Sequence, residues 1–210
     1  AQEFKDLGMV TAAVWSDFNK DGKLDLVVVG EWMAPTFLEN KNGRLTKVNL
    51  GTENLNGLWQ SVIPFDIDGD GDLDLAMTNS LAPYDVQILF NDGNGQLESA
   101  VSRDTRGLPR EIVASDVDDD GDLDLVMVSM SNDWTDSSHP TIAWVENDGN
   151  NNFITTWAID TAPIELITLD VGDIDGDGRA DLVAGRLRVP TTVAPESTGI
   201  AVWLSGKGTP

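Results

Sequence analysis

Four short segments of the chain carry oxygen-bearing side chains at alternate positions and then a glycine. Each follows the pattern D-x-[DN]-x-D-G-x-x-D, and they begin at Asp17, Asp66, Asp116 and Asp173, which lie 49, 50 and 57 residues apart. Calcium takes about six to eight oxygen ligands in a flexible cage, and carboxylate and amide oxygens at this spacing supply them. The segments therefore predict calcium binding at four places, called sites one to four.

Each position in the nine-residue loop has an expected role. Side chains one, three and five point inward, glycine six permits a sharp turn, residue seven offers its backbone carbonyl, and Asp nine closes the shell. Site one has Asn19 in place of an aspartate and Lys23 at position seven, so we expect it to bind calcium most weakly. Magnesium fits less well, because its strict octahedral shell usually retains several waters. The expected ligands are Asp17, Asn19, Asp21, the carbonyl of Lys23 and Asp25 in site one; Asp66, Asp68, Asp70, the carbonyl of Asp72 and Asp74 in site two; Asp116, Asp118, Asp120, the carbonyl of Asp122 and Asp124 in site three; and Asp173, Asp175, Asp177, the carbonyl of Arg179 and Asp181 in site four.

Two other interpretations of these loops fit less well. An EF-hand begins alike but needs a bidentate glutamate at position twelve, and a dockerin-like loop also needs an acidic residue there. The residues at that position are Val28, Met77, Met127 and Ala184. The remaining alternative is four polar turns chosen for turn propensity, which does not require so many like charges within nine residues.

The charge of the chain also favours bound cations. Asp and Glu number 36 against 13 Lys and Arg, which gives a formal charge of −23. Because such a chain repels itself when it packs, we expect calcium to pin the strands on either side of each loop and to couple folding to metal. Four ions carrying eight positive charges would change the charge from −23 to −15.

Composition excludes several functions. Lys and Arg are scattered rather than clustered, which argues against nucleic acid as a partner. No apolar run approaches the roughly 18 to 20 residues that cross a bilayer, so no membrane span is expected. Cysteine is absent, which excludes disulfides, thiolate metal sites and cysteine nucleophiles.

The stretches around each acidic loop predict β-strands. One apolar, β-prone stretch precedes each loop and another follows it. A second motif recurs in phase at residues 37–43, 88–93 and 144–149, with a remnant at 202–206, and it predicts a tight hairpin into fourth strands at 44–50, 96–101 and 152–159. Each repeat thus predicts a four-stranded antiparallel sheet, and the repeats span approximately residues 9–50, 58–101, 110–159 and 165–206.

The acidic loop before an apolar strand, followed by an N-x-G hairpin, resembles the FG-GAP or VCBS repeat and is similar to the calcium-bearing blades of integrin α-subunit propellers. The resemblance covers residues from about 10 to 206 in four copies. It implies an all-β fold, a β-propeller of four-stranded antiparallel blades, as a single domain over residues 1–210. Related propellers usually close with about seven blades. We therefore expect either a small ring or an arc that associates with further blades or another copy.

Ring closure within the chain would need residues 3–7 to act as the fourth strand of the last repeat. Phe4 lies only 13 residues before Asp17, whereas the corresponding fourth-strand residues of the other repeats lie 19 to 21 residues before the next loop. The closing strand is therefore expected to be cramped or absent.

The candidate ligand-binding residues lie at the sheet edge opposite the acidic loops. That edge carries the connections between second and third strands and between one repeat and the next, and variable loops on a repeated scaffold are where binding usually resides. Aromatic side chains there could stack on sugar rings or anchor a protein, or could simply cover the junction between two blades. The candidates are Trp32, Tyr84, Trp134 and His139, whereas the strand positions predict core for Trp15, Trp144 and Trp203.

The resemblance implies a non-catalytic module for binding or adhesion to a glycan or protein, secreted, on the cell surface or in the periplasm. No catalytic residue is assigned. The alternative is a polysaccharide lyase, in which His139 or Tyr84 would abstract a proton beside a uronate and Arg186 or Arg188 would neutralise its carboxylate. A further alternative is a fragment of a larger propeller whose functional residues lie elsewhere.

Overall fold

The computed structural model describes residues 4–93, 96–97, 101–130, 141–150, 152–159, 165–187 and 199–205. Across these residues the regular elements are all β-strands, and neighbouring strands run antiparallel. The chain divides into two compact units, Ala1–Asp104 and Thr105–Pro210. Each unit holds two of the four sequence repeats. The predicted all-β fold of antiparallel sheets is therefore confirmed.

Unit one contains eight strands: β1 (Met9–Ser16), β2 (Asp25–Met33), β3 (Thr36–Lys41), β4 (Arg44–Val48), β5 (Gly57–Phe65), β6 (Asp74–Asn79), β7 (Asp85–Leu89) and β8 (Val101–Asp104). The first four pair in chain order, and so do the last four. The end of β2 also pairs with the start of β5, where Glu31 faces Leu58 and Met33 faces Gly57. The two sheets of the unit are therefore joined by backbone hydrogen bonds.

Unit two contains seven strands: β9 (Leu108–Ser115), β10 (Asp124–Met130), β11 (Ile142–Asn147), β12 (Phe153–Ile159), β13 (Glu165–Gly172), β14 (Asp181–Leu187) and β15 (Gly199–Trp203). The first four form one sheet in chain order, and the last three form another. In all four repeats the acidic loop connects the first strand to the second, as the sequence predicts.

The structure bears on two further strand predictions. The fourth strand of the second repeat, expected at 96–101, is described as β8 over Val101–Asp104, and residues 98–100 of the expected range lie outside the described residues. In the hairpin before it, Asn91 and Leu97 form an isolated bridge and the Asp92 N–H donates to the Gln96 carbonyl at 3.0 Å, so the turn is wider than two residues. The closing strand at residues 3–7 was expected to be cramped or absent, and in the structure residues 4–6 form a turn.

Each unit has its own apolar core between its two sheets. In unit one, Phe18 and Phe37 meet edge to face with ring centroids 5.7 Å apart, and side chains of the second sheet such as Trp59 and Met77 complete the cluster. In unit two, the cluster includes Val126 from β10. β6 and β10 are buried at every position. Their uninterrupted apolar runs, 75–77 in β6 and 125–128 in β10, follow from packing on both faces, where strands need no polar alternation.

The tryptophans that were predicted to lie in the core differ in burial, because they lie on different faces of their sheets. Trp15, predicted to be core, is 54% exposed. The prediction was wrong because β1 pairs with β2 along one edge only and its Ala12 and Val14 take the core-facing positions, which leaves Trp15 on the other face. Trp144 and Trp203 do pack against the core of unit two.

Trp59 provides a test of how the first sheet is held to the second. It is 1% exposed, and its indole N–H donates to the Met33 carbonyl at 2.9 Å. Trp59→Phe removes the donor and part of the ring, so the free energy of unfolding should fall by about 2 to 4 kcal/mol. Urea unfolding followed by circular dichroism measures this. Trp32→Phe, at a side chain that is 67% exposed, is the matched control and should change it by less than about 0.5 kcal/mol.

Candidate metal centres

The four acidic loops share one set of internal hydrogen bonds. The first aspartate accepts the N–H of glycine six in every loop, at 2.9 to 3.0 Å. The side chain at position three accepts the N–H of residue five, and the side chain at position five accepts the N–H of residue seven. Because one pattern recurs four times, the loop sequence itself determines the loop shape.

Position four of each loop lies in the left-handed region of φ. Two loops have glycine there, with φ of 73° at Gly69 and 79° at Gly176. The other two have Lys20 at 54° and Asp119 at 64°. A residue with a side chain pays roughly 1 kcal/mol or more for this conformation, so Lys20 and Asp119 stand where glycine would fit with less strain.

The aspartate at position nine joins the loop to the third strand. In site two, Asp74 is fully buried; one carboxylate oxygen accepts the N–H of Asn91 at 2.8 Å and the other accepts the N–H of Ile67 at 3.0 Å. Asp124 and Asp181 are also buried and accept equivalent pairs of N–H groups. In site one, Asp25 accepts the N–H of Asn40 through one oxygen, while its other oxygen is buried without a partner.

The asparagines of the second motif have a role beyond the predicted hairpin. Asn40, Asn91 and Asn147 each donate a side-chain N–H to the carbonyl of loop position eight in the same repeat. Asn91 also donates to the carbonyl of Phe18 in the neighbouring loop at 2.9 Å. The sequence signal for this role was available, since an asparagine lies two or three residues before the turn glycine in three repeats.

The structure brings three carboxylates together in each of three loops, with one oxygen of each lying within 4.8 Å of the others. The groups are Asp66, Asp68 and Asp70; Asp116, Asp118 and Asp124; and Asp173, Asp175 and Asp181. Site one has only Asp17, Asp21 and Asp25 as carboxylates, and the Lys23 ammonium lies 2.6 Å from an oxygen of Asp21. Within the described residues, site one therefore forms no such three-carboxylate group.

Burial and crowding act on the acidity of these groups. Burial raises the pKa of Asp74 from 3.8 to about 6, against the lowering effect of its two backbone donors. Burial likewise raises the pKa of Asp25 and of Asp124. The pKa of Asp118 is raised by burial and then by the neighbouring Asp120. These carboxylates hold their negative charge against an opposing environment, which a bound cation would relieve.

Two other carboxylates are shifted in the opposite direction. The hydrogen bond from Lys23 lowers the pKa of Asp21 and correspondingly raises the pKa of Lys23. In site four, the backbone N–H of Ser205 lowers the pKa of Asp181. The sites are therefore similar in shape but differ in local charge balance, and in site one Lys23 partly neutralises Asp21, one of the predicted ligands.

The carboxylate oxygens of the loops are suited to binding a hard divalent cation. Asp66 in site two has one carboxylate oxygen that is buried and accepts no hydrogen bond, beside the oxygens of Asp68 and Asp70. An orphaned buried carboxylate oxygen is costly unless something positive meets it. Oxygen ligands from aspartates suit calcium, magnesium or manganese rather than softer metals.

Side chains at positions four and seven connect neighbouring loops within each unit. Lys20, at position four of the first loop, pairs with Asp72 at position seven of the second loop. In unit two the charges are reversed, since Asp119 at position four of the third loop pairs with Arg179 at position seven of the fourth, at 2.9 Å. These pairs account for the two side chains that replace glycine at position four. They were not predicted, because they join residues about 50 to 60 positions apart.

Asp72 also fixes the geometry of the hairpin after β7. A Cβ atom added at Gly93 would overlap the Asp72 carboxylate, and Asp122 stands in the same relation to Gly149 in the third repeat. The side chain at loop position seven therefore lies directly against the turn glycine of the second motif. Only glycine leaves room for it.

Gly93→Ala tests this contact, with Gly43→Ala as the matched control. Both glycines have positive φ, 71° and 83°, but nothing lies within 4 Å of a Cβ at Gly43. Both changes should cost about 1 kcal/mol through backbone strain, and Gly93→Ala should cost about 1 to 3 kcal/mol more because it displaces the buried Asp72 carboxylate. Urea unfolding measures the difference. Equal losses of stability would show that the contact carries no energy.

The predicted ligand-binding residues are partly placed by the structure. Trp32 is 67% exposed near the end of β2, and Tyr84 is half-buried directly before β7. Both have positive φ, 57° and 63°, which is uncommon for bulky side chains. Trp134 and His139 lie outside the described residues, as does Arg188, and the side chain of Arg186 is not described. The arrangement that a lyase would need therefore falls largely on residues outside the described part of the chain.

Among the described residues, no helix is long and apolar enough to cross a membrane.

Comparison with known proteins gives a family and a fold. The family model described as "FG-GAP-like repeat" matches residues 17–77 and 116–184. The structure is similar to that of an Agrocybe aegerita lectin that specifically recognises non-reducing terminal N-acetylglucosamine, with 19% identity and a TM-score of 0.55 over 83% of this chain and 46% of the lectin chain. It is also similar to the V. cholerae biofilm matrix protein Bap1, with 17% identity and a TM-score of 0.49 over 97% of this chain and 39% of that one. This chain therefore spans less than half the length of either protein. No curated protein sequence matches it.

Proposed function

The chain belongs to the FG-GAP-like repeat family, and from this premise we propose that it is a calcium-binding, non-catalytic module that binds a glycan or a protein outside the cell. The observation that carries the calcium proposal is the loop arrangement itself. Four loops hold their side chains in one pattern through backbone N–H donors, and sites one and two each contain a buried carboxylate oxygen with no partner. A divalent cation would satisfy these oxygens and offset the crowded charge.

We infer that all four sites take calcium. The ligands would be the side chains at positions one, three, five and nine and the carbonyl at position seven, as in the family. The bound ion supplies positive charge that ties the first strand of each repeat to the second and third. The aspartate at position nine accepts a backbone N–H at or just after the end of the third strand, which holds the acidic loop against that strand. These aspartates are Asp25, Asp74, Asp124 and Asp181.

Chelation tests the structural role of the ion. Saturation at one hundred times the dissociation constant stabilises a folded protein by about 2.7 kcal/mol per site, which corresponds to roughly 5 to 10 °C in Tm for a chain of this size. Adding EGTA should therefore lower Tm by at least this amount, and Ca²⁺ in excess should restore it where Mg²⁺ does not. A Tm that EGTA leaves unchanged would contradict the proposal.

A calorimetric titration tests the number and ranking of the sites. We expect four bound ions, with site one weakest because it has Asn19 and the Lys23–Asp21 pair. Asn19→Asp should tighten the weakest step by about tenfold. Asn56→Asp adds the same charge at an exposed position directly before β5, at the edge opposite the acidic loops, and should leave the titration unchanged. The ranking is wrong if site one fills first.

We propose that the repeats are propeller blades and that the ligand binds at the edge opposite the acidic loops. The likeness in fold to the Agrocybe aegerita lectin supports the propeller assignment. That the lectin recognises N-acetylglucosamine makes a glycan the first ligand class to test. An extracellular location suits exposed calcium loops of the family, since extracellular modules bind calcium with dissociation constants of about 10⁻⁴ to 10⁻³ M.

The lyase alternative depends on His139 and Arg188, which lie outside the described residues. Incubation with polyuronates, followed by absorbance of unsaturated products, would test it. Product formation that His139→Ala abolishes would replace the non-catalytic proposal.

A further inference from the structure

A cavity at the edge of the first sheet is the feature that the calcium sites do not use. It has a volume of about 350 Å³ and is lined by the end of β2, the start of β3, the end of β4 and the segment that follows β4. Because the strands alternate in direction, this edge lies opposite the first acidic loop. We propose that this cavity binds a single uncharged pyranose sugar ring. The proposal rests on the glycan-binding function proposed above and assigns it a site.

The cavity is built from buried, fixed groups. Its floor includes Met33, which is 8% exposed, and Leu50, which is 7% exposed. The turn between β2 and β3 is held from both sides, by the indole N–H of Trp59 on the Met33 carbonyl at 2.9 Å and by the Thr52 hydroxyl on the Pro35 carbonyl at 3.4 Å. A site whose walls are fixed before binding loses little entropy when a ligand enters.

Polar side chains of three kinds stand around this apolar floor. Lys47 offers a cationic donor and Glu53 an anionic acceptor, and both are exposed. Asn49 accepts the N–H of Gly51 through its carbonyl oxygen at 2.9 Å, so its NH₂ group is available as a neutral donor. Within the described residues, neither Lys47 nor Glu53 takes part in an ion pair.

The combination selects the chemistry of the ligand. A sugar ring has an apolar C–H face and hydroxyls that both donate and accept, which matches an aliphatic floor surrounded by one acceptor and two donors. The volume is near the lower end of the roughly 300 to 1,000 Å³ of small-molecule sites, so one ring fits rather than an extended chain. The formal charge of −23 repels anionic sugars at long range, which favours an uncharged ring over a uronate.

The experiment titrates the calcium-saturated chain with methyl glycosides of glucose and N-acetylglucosamine and, separately, with glucuronate, using ligand-observed NMR. We expect at least one neutral glycoside to bind and glucuronate to bind at least tenfold more weakly. Glu53→Gln keeps the shape of the side chain and removes its charge, so it should weaken binding about tenfold. Glu39→Gln is the control, because Glu39 pairs with Lys41 at the opposite edge of the same sheet, and it should leave binding unchanged.

A second variant, Ala34→Phe, fills the cavity and should abolish binding if the variant remains folded by circular dichroism. Glu53→Gln keeps the test decisive if Ala34→Phe does not fold.

Binding that survives Glu53→Gln but is lost in Trp32→Ala would place the sugar elsewhere and overturn the inference, while the proposed glycan-binding function would stand. No binding of either neutral glycoside, or occupation of the cavity by a peptide instead, would also overturn it. The Tm shift with EGTA, measured on the same samples, reports separately on the calcium role.

Discussion

Crowded carboxylates held by backbone N–H donors are the constraint on which the rest of the structure depends. The first aspartate of each loop accepts the N–H of glycine six, and the ninth is buried against the third strand. A buried carboxylate without donors would cost several kcal/mol. The loop, the start of the second strand and the end of the third must therefore form together. In sites two, three and four, one oxygen from each of three carboxylates lies within 4.8 Å of the others, which is the property that would give a divalent cation a site.

Charge also connects one loop to the next, though differently in the two units. Lys20 reaches Asp72 in unit one, and Asp119 reaches Arg179 in unit two, from the same pair of loop positions with opposite signs. The pair in unit two joins side chains that are about half exposed, so solvent screens it and its contribution is small. Asp72 is largely buried and also limits the turn at Gly93, so its pairing with Lys20 carries more of the local structure. Asn91, which bonds to carbonyls in both loops of unit one, adds an uncharged connection.

The two edges of the first sheet have separate roles. The loop edge carries the aspartates, and its shape is repeated with little variation. The opposite edge is irregular, with Trp32 exposed and a cavity built around Met33 and Leu50. The described residues that line the cavity lie outside the acidic loop, so the repeated edge and the irregular edge are built from separate residues.

The sequence by itself determined the acidic loops, the strands that flank them and the all-β fold, because ligand spacing and apolar periodicity act within about ten residues. It also identified the position of the second motif, although the buried hydrogen bonds of Asn40, Asn91 and Asn147 emerged only when distant strands came together. Only the tertiary structure decided that Trp15 is exposed, that Lys20 meets Asp72, and that a cavity forms beside β2. Each of these depends on contacts between residues far apart in the chain, which the local pattern of residue types does not encode.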